Sequence, residues 1–170
     1  KREVATNVEL GPALLAGQRY SLTVESGWPS ADGTAVLPAF SKTFEVSDPL
    51  RTRPDTRLWS VNPPCAGTRE TLTVTFDRPF DRYQLMYAMR LQMPGEVEIE
   101  GEKGVSEAEQ QWSLTPHMPW QNGSFRLVAD RTLEDVAGNN FVDLLDHTAN
   151  PGESDKAMTD IRLRLLNCTD

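Results

Sequence analysis

Five oxygen-bearing side chains lie close together in the sequence, and their type is the one that calcium prefers. They are Asp130, Glu134, Asp135, Asn139 and Asn140. Carboxylate and amide oxygens are hard ligands of the kind that Ca²⁺ takes in proteins. The alternative is structural, because Asp and Asn side chains bond the local backbone of turns and tolerate a positive φ. The segment lacks an Asp-x-Asp-x-Asp-Gly loop, so calcium is the minor interpretation and no other cofactor is expected.

Trp120 is the second candidate for a binding residue. It lies between Pro119 and Gln121 in a predicted loop, where an exposed indole could stack on a sugar or on a protein partner. The alternative is that the ring closes one end of a β-sandwich. The other three tryptophans are predicted to lie in the core: Trp28, Trp59 and Trp112.

Catalytic chemistry has little support in the sequence. No Gly-x-Ser-x-Gly elbow, His-Glu-x-x-His pair or glycine-rich phosphate loop occurs. His117 and His147 both fall in predicted loops, which indicates surface histidines. Glu96, Glu98 and Glu100 share one face of a predicted strand. Like charges on a strand face indicate a solvated surface. From the motifs, the histidines and these glutamates together, we expect a protein that is not an enzyme.

Composition narrows the class of partner. The net charge is −8 and the isoelectric point is near 4.8, which disfavours nucleic acid and anionic lipid. No run approaches the roughly 18 apolar residues of a membrane helix, so membrane insertion is not expected. Twelve prolines and eleven glycines favour strands joined by turns. Protein partners remain the best fit, with carbohydrate as the alternative.

An internal repeat is the main organising feature of the chain. Residues 20–36 align without a gap on residues 125–141, so that Tyr20 matches Phe125, Leu22 matches Leu127 and Gly33 matches Gly138. Matching apolar and glycine positions at one spacing suggest two copies of a module. The spacing of 105 residues is about the size of one small domain.

Alternation of apolar and polar residues predicts strands in both parts of the chain. A partial module is expected at residues 1–50 and a complete antiparallel β-sandwich at residues 56–170, separated by a proline-containing linker. One helical turn is expected before Met89, and residues 101–108 are predicted to be a turn-rich connection. The predicted strands are 7–10, 18–25 and 40–46 in the first module and 57–61, 70–76, 89–93, 96–100, 110–114, 124–130 and 160–166 in the second.

The partial module has an apolar face that two or three strands cannot bury alone in water. This face carries Tyr20, Leu22, Val24, Phe40 and Phe44. It could complete the second module, pair with another chain as in a homodimer, or belong with neighbouring domains of a longer chain. The last of these is the preferred interpretation.

The two cysteines, Cys65 and Cys168, lie at the start and near the end of the second module. They are either two buried thiols or a disulfide that joins the ends of that module. A disulfide would place the protein in an oxidising compartment.

Several of these pieces together resemble a known family. Leu72–Asp81 reads LTVTFDRPFD, Leu114–Pro116 reads LTP, and Trp120–Asn139 follows the pattern W-x-x-G-x-F-x-L-x-x-D…L-E-D-x-A-G-N. They resemble bacterial immunoglobulin-like domains of the SbsA-like type (Big_5), and residues 10–46 resemble the C-terminal half of such a domain. The first copy departs from the pattern, since Ser30–Thr34 replaces Asp135–Asn139.

The resemblance implies an all-β, immunoglobulin-like sandwich from surface or secreted bacterial proteins, with no catalytic residues to carry over. We therefore expect a non-enzymatic structural or binding module outside the cytoplasm, either periplasmic, on the cell surface or secreted. It would space domains or mediate protein contacts. The alternatives are a carbohydrate-binding sandwich that uses Trp120, and an accessory domain of a larger enzyme or of a macroglobulin-like inhibitor.

Overall fold

The computed structural model describes residues 9–145 and 159–167, and it divides into two compact units, residues 1–50 and 51–170. In its described residues the chain is built of antiparallel β-sheets with little helix, as the sequence predicts. Residues 146–157, a polar stretch that contains Gly and Pro, lie outside the described residues. Of the short strand predicted at 7–10, only residues 9 and 10 are described, and they are helical, so that prediction is wrong for them. None of the described helices has the length and apolar content needed to cross a membrane.

The first unit contains a β-hairpin of two strands, β1 (Arg19–Val24) and β2 (Phe40–Glu45). Their antiparallel register places Tyr20 opposite Phe44 and Val24 opposite Phe40 on one face. The rings of Tyr20 and Phe44 stack with centroids 6.2 Å apart. The opposite face is polar, with hydroxyl contacts between paired serines and threonines. The alternation in the sequence therefore produces one apolar and one polar face.

In its described residues, the second unit is a sandwich of two four-stranded antiparallel sheets. One sheet has the order β10-β9-β5-β6 and the other has the order β3-β4-β8-β7. The strands are β3 (Ser60–Asn62), β4 (Leu72–Thr75), β5 (Met89–Met93), β6 (Val97–Glu98), β7 (Gly101–Val105), β8 (Gln111–Pro116), β9 (Gly123–Ala129) and β10 (Asp160–Leu165).

The core lies between these sheets and is rich in aromatic rings. Trp59 packs edge-on against Phe76, Phe80 and Phe141, with ring centroids 4.7 to 5.9 Å apart. Edge-to-face contacts of this kind stabilise a core beyond the area that they bury. The most deeply buried aliphatic side chains are Leu72, Val74, Leu85, Leu91, Leu114, Leu127, Leu133 and Leu165.

The helical turn expected before Met89 is present as helix α1 (Arg82–Ala88). The carboxylate of Asp81 accepts a hydrogen bond from the Gln84 amide at 2.8 Å and so caps the helix. A short 3₁₀ turn, Thr56–Leu58, precedes β3 where the sequence predicted the beginning of a strand.

Two predictions between residues 96 and 108 are wrong. The strand predicted at 96–100 is only two residues long, because Glu96 has φ 63° and belongs to the turn that follows Gly95. The connection predicted at 101–108 instead contains β7, which pairs with β8. A Cβ on Gly101 would collide with the carbonyl oxygen of Thr115. Glycine at position 101 therefore allows β7 to approach β8 closely, and it does not mark a turn.

Candidate functional site

The acidic turn after β9 is held by the carboxylate of Asp135. One oxygen accepts the backbone amides of Ala137 and Asn139, each at 2.9 Å. The Asn139 side-chain amide also donates to this carboxylate, at 3.2 and 3.3 Å. Asp135 and Asn139 are both buried, and Gly138 closes the turn with φ 78°. Donors from its own turn thus occupy the acceptor sites of the Asp135 carboxylate.

Arg78 supplies the positive charge that this buried carboxylate needs. Its Nη1 lies 3.3 Å from Oδ2 of Asp135 and donates to the carbonyl of Thr52 at 2.8 Å. Its Nε donates to Asp77 at 2.9 Å. The Arg78 side chain is only 10% exposed. A buried ion pair is tolerated when both charges are also hydrogen-bonded, which is the case here.

Two backbone hydrogen bonds, which together form an antiparallel β-bridge, tie the turn to the segment that begins α1. The Asp81 amide donates to the carbonyl of Glu134 at 2.9 Å, and the Val136 amide donates to Pro79 at 3.2 Å. Phe80 and Asp135 are the paired residues of this bridge. The turn therefore acts as a buried clamp between β9 and the helix, which we call the Asp135 clamp (Arg78, Asp135, Asn139).

Two other calcium candidates, Asp130 and Asn140, also accept hydrogen bonds from their own turns, whereas Glu134 bonds through its backbone. Asp130 accepts the amide and hydroxyl of Thr132 at 2.9 and 2.7 Å, and these bonds lower its pKa. The side chain of Asn140 accepts the amides of Val142 and Asp143. Within the residues that the structure describes, no group of three or more acidic, histidine or cysteine side chains is arranged to hold a metal ion. The arrangement matches the structural interpretation of turn Asp and Asn residues.

Trp120 lies in the core. A ring that stacks on a sugar would have to be exposed. It is 3% exposed, and its ring meets Phe125 edge-on at 6.1 Å. The indole N–H donates to the carbonyl of Glu70 at 2.7 Å. Its backbone amide and carbonyl also bond Thr68 and Gly67. This burial corrects the expectation of a stacking residue in favour of the alternative, a ring that closes the end of the sandwich.

Replacing Trp120 with phenylalanine tests that structural role. The change keeps an aromatic ring but removes the N–H that satisfies the Glu70 carbonyl. We expect the free energy of unfolding to fall by about 1–3 kcal/mol, the usual cost of an unpaired buried polar group. Urea unfolding measures it, with Trp28→Phe as the exposed control. Equal and negligible effects of the two substitutions would contradict the prediction.

The remaining tryptophans differ from one another. Trp59 and Trp112 are buried as predicted, whereas Trp28 is 62% exposed. The sequence placed Trp28 in the core because it aligns with Leu133, which is fully buried in the second unit. The aligned position in the first unit lacks that cover.

Two side chains of the predicted glutamate cluster, Glu96 and Glu98, have basic partners. Glu96 contacts Arg126 at 3.2 Å, and Glu98 contacts Lys103 at 3.2 Å. These basic partners reduce the repulsion that the spacing of the glutamates would otherwise create. His117 is exposed, as expected of a surface histidine. His147 lies outside the described residues.

The turn of the first unit has an acidic residue of its own, Asp32. Its carboxylate accepts the Ser30 hydroxyl, the Thr34 amide and the Thr34 hydroxyl, at 2.5, 3.1 and 2.9 Å. These bonds lower the pKa of Asp32 from 3.8 to about 2, with the Ser30 hydroxyl as the largest cause. The turn resembles the Asp135 turn in one backbone bond, since Gly33 donates to Ser30 as Gly138 donates to Asp135.

Ser30→Ala should raise the pKa of Asp32 towards 3.8. Because the folded-state pKa is lower than the unfolded one, these bonds stabilise the turn above about pH 3.8, and that stabilisation is lost as the pH falls towards 2. An NMR titration of the Asp32 carboxyl carbon measures the midpoint. Ser41→Ala, which removes a hydroxyl from β2, is the control. An unchanged midpoint in Ser30→Ala would show that this hydroxyl is not the main cause.

The predicted disulfide cannot be placed completely, because Cys168 lies outside the described residues. Cys65 is half-buried in a turn, where its carbonyl accepts the hydroxyl of Thr68 at 2.8 Å. The next residue, Ala66, donates its amide to the carbonyl of Leu166 at 3.0 Å. The backbone beside Cys65 is thus bonded to a residue two positions before Cys168 in the chain.

No family model matches the sequence, and no curated protein matches it. Among solved structures, the chain is similar to domains 1–6 of the surface layer protein SbsC, with 23% identity and a TM-score of 0.38. The match covers 49% of this chain and 12% of the length of that one.

Proposed function

We propose that this chain is a non-enzymatic, immunoglobulin-like module of the Big_5 type in an exported bacterial protein. It spaces neighbouring domains and mediates protein contacts. The observation that carries the proposal is that the candidate site residues serve the fold itself. Asp135, Asn139 and Trp120 are buried and hydrogen-bonded within it. Large apolar side chains are exposed instead on the first unit, including Leu22, Trp28 and Phe40.

An exposed apolar sheet face supports a role in protein contacts. Soluble proteins rarely leave large contiguous apolar patches open unless they bind something. The carbohydrate alternative depended on Trp120, whose ring is buried. The net charge of −8 supports protein rather than nucleic acid as the partner.

Two experiments on the producing bacterium test the proposal. Fractionation should recover the protein with envelope, periplasmic or medium markers, and recovery with cytoplasmic markers would refute export. In the second experiment, residues 56–170 are replaced in the native gene product by an unrelated β-sandwich of similar length. A spacer should tolerate this exchange, whereas loss of the parent protein's activity despite normal export would indicate a specific chemical role.

A further inference from the structure

Strand β1 has one edge that no described strand covers. It is hydrogen-bonded to β2 on one side, and together they form a two-stranded sheet among the described residues. An uncovered edge presents a row of backbone donors and acceptors to which another strand can add.

The register identifies the backbone groups at this open edge. The Val46 amide donates to the carbonyl of Gln18 at 2.9 Å, so residues 18 and 46 are a hydrogen-bonded pair. Bonded and non-bonded pairs alternate along antiparallel strands. Residues 20, 22 and 24 therefore direct their amides towards β2, whereas Ser21 and Thr23 direct theirs to the open edge of β1. By the same rule, Ser41 and Thr43 direct theirs to the outer edge of β2.

The two outer edges of the hairpin differ in their protection. On β2, Lys42 lies opposite Leu22 and so places a charge on the apolar face. An inward-pointing charge is one of the devices by which proteins prevent unwanted strand pairing. On β1, the same face carries only Tyr20, Leu22 and Val24. The β1 edge therefore lacks the charge that protects the β2 edge.

The second unit shows which kind of strand fits. At the 105-residue spacing, β1 aligns with β9, which is covered on the corresponding side by β5. There Leu91 lies opposite Leu127, and Met89 lies opposite Ala129. Leu127 is 1% exposed, whereas its counterpart Leu22 is 56% exposed.

We propose that β1 is a strand-addition site for a segment of a different protein. The added strand runs antiparallel to β1, with apolar residues opposite Leu22 and Val24 and a polar residue between them, as in Met89–Leu91. Backbone bonds supply affinity and the alternating side chains supply specificity in this mode of recognition. This inference rests on the proposed role in protein contacts and names the class of partner.

A synthetic peptide with the sequence of residues 86–95, MYAMRLQMPG, serves as the probe, and a scrambled peptide is its control. The peptide is added to the full chain, and amide exchange is followed residue by residue by NMR. We expect exchange at Ser21 and Thr23 to slow by at least about tenfold, as newly bonded amides do, while Ser41 and Thr43 are unchanged.

Two proline variants make the test specific. Thr23→Pro removes an amide from the open edge of β1, and Ser41→Pro removes the paired residue's amide from the edge of β2. Both lose the same hydroxyl contact, which measures 3.3 Å, so their effects on the hairpin are matched. Thr23→Pro should weaken peptide binding about tenfold or more, and Ser41→Pro should leave it nearly unchanged.

Three results would overturn the inference: absence of peptide binding, equal binding of the scrambled peptide, or equal effects of the two proline variants. A concentration-dependent dimer that only Thr23→Pro abolishes would also overturn it, because a second copy would then occupy the edge. These outcomes are independent of the fractionation experiment, which tests export and so can fail separately.

Discussion

Replacing Asp135 with alanine should lower the free energy of unfolding by about 3–5 kcal/mol, the range for a broken buried ion pair. The side chain of Asp135 is fully buried, and that of Arg78 is nearly so. Removal of the carboxylate leaves the Arg78 charge with two partners, the more exposed carboxylate of Asp77 and the carbonyl of Thr52. It also leaves the amides of Ala137 and Asn139 without their acceptor.

The size of this effect follows from burial rather than from the number of hydrogen bonds. Asp130 makes a similar local turn, in which the amide two residues later donates to its carboxylate at 2.9 Å, as Ala137 donates to Asp135. Asp130 is only half-buried and its bonds to Thr132 are exposed, so water can replace them, and Asp130→Ala should cost about 1 kcal/mol. It is therefore the matched control.

Urea unfolding followed by tryptophan fluorescence measures both variants. Asp135→Asn separates charge from hydrogen bonding, because it keeps one acceptor oxygen while removing the charge that faces Arg78. We expect its stability to lie between those of the wild type and Asp135→Ala. Equal losses for Asp130→Ala and Asp135→Ala would show that the Asp135 clamp contributes no more than an ordinary surface turn.

Most strands of this protein could be predicted from its sequence because one of their faces is buried. The alternation in β8, β9 and β10 records that burial directly, and the structure confirms these strands, together with β1, within one or two residues. Strand β7 was not predicted because glycines such as its Gly101 and Gly104 usually indicate turns. Their true role is close approach to β8, where a Cβ at Gly104 would lie 2.7 Å from the Ser113 hydroxyl.

The candidate site was less predictable for a different reason. The sequence drew attention to Asp135 and Asn139 as turn residues, but nothing in the spacing connects position 78 with position 135. The ion pair between them depends on how α1 and the turn after β9 meet in space. Likewise, the proline beside Trp120 indicated a loop, and loops are usually exposed. Only tertiary packing against Phe125 buries this ring.

Loss of a disulfide between Cys65 and Cys168 is expected to be the other large effect. The closed loop would span just over 100 residues, for which the loop-closure model gives about 4–5 kcal/mol of stabilisation. The hydrogen bond from Ala66 to Leu166 supports this pairing, because it holds β10's end beside the Cys65 turn in the folded chain. A bridge there would restrain the unfolded chain while demanding little rearrangement of the native backbone.

The first measurement is the intact mass of protein made in an oxidising compartment, after alkylation under denaturing conditions. Without reductant we expect no alkylated thiol, and with reductant we expect two. Unfolding experiments then compare the oxidised wild type with the double variant Cys65→Ser/Cys168→Ser. The variant should be less stable by up to about 4–5 kcal/mol.

The reduced wild type provides the control that separates the bridge from the side chains. If the disulfide itself stabilises the fold, reduction should bring the wild type to about the stability of the double serine variant. Two alkylated thiols in the unreduced protein would contradict the pairing. In that case the bond between Ala66 and Leu166, together with the buried Leu165, must hold the last strand on the sheet without a covalent link. The argument from cysteines to an oxidising compartment would then no longer apply.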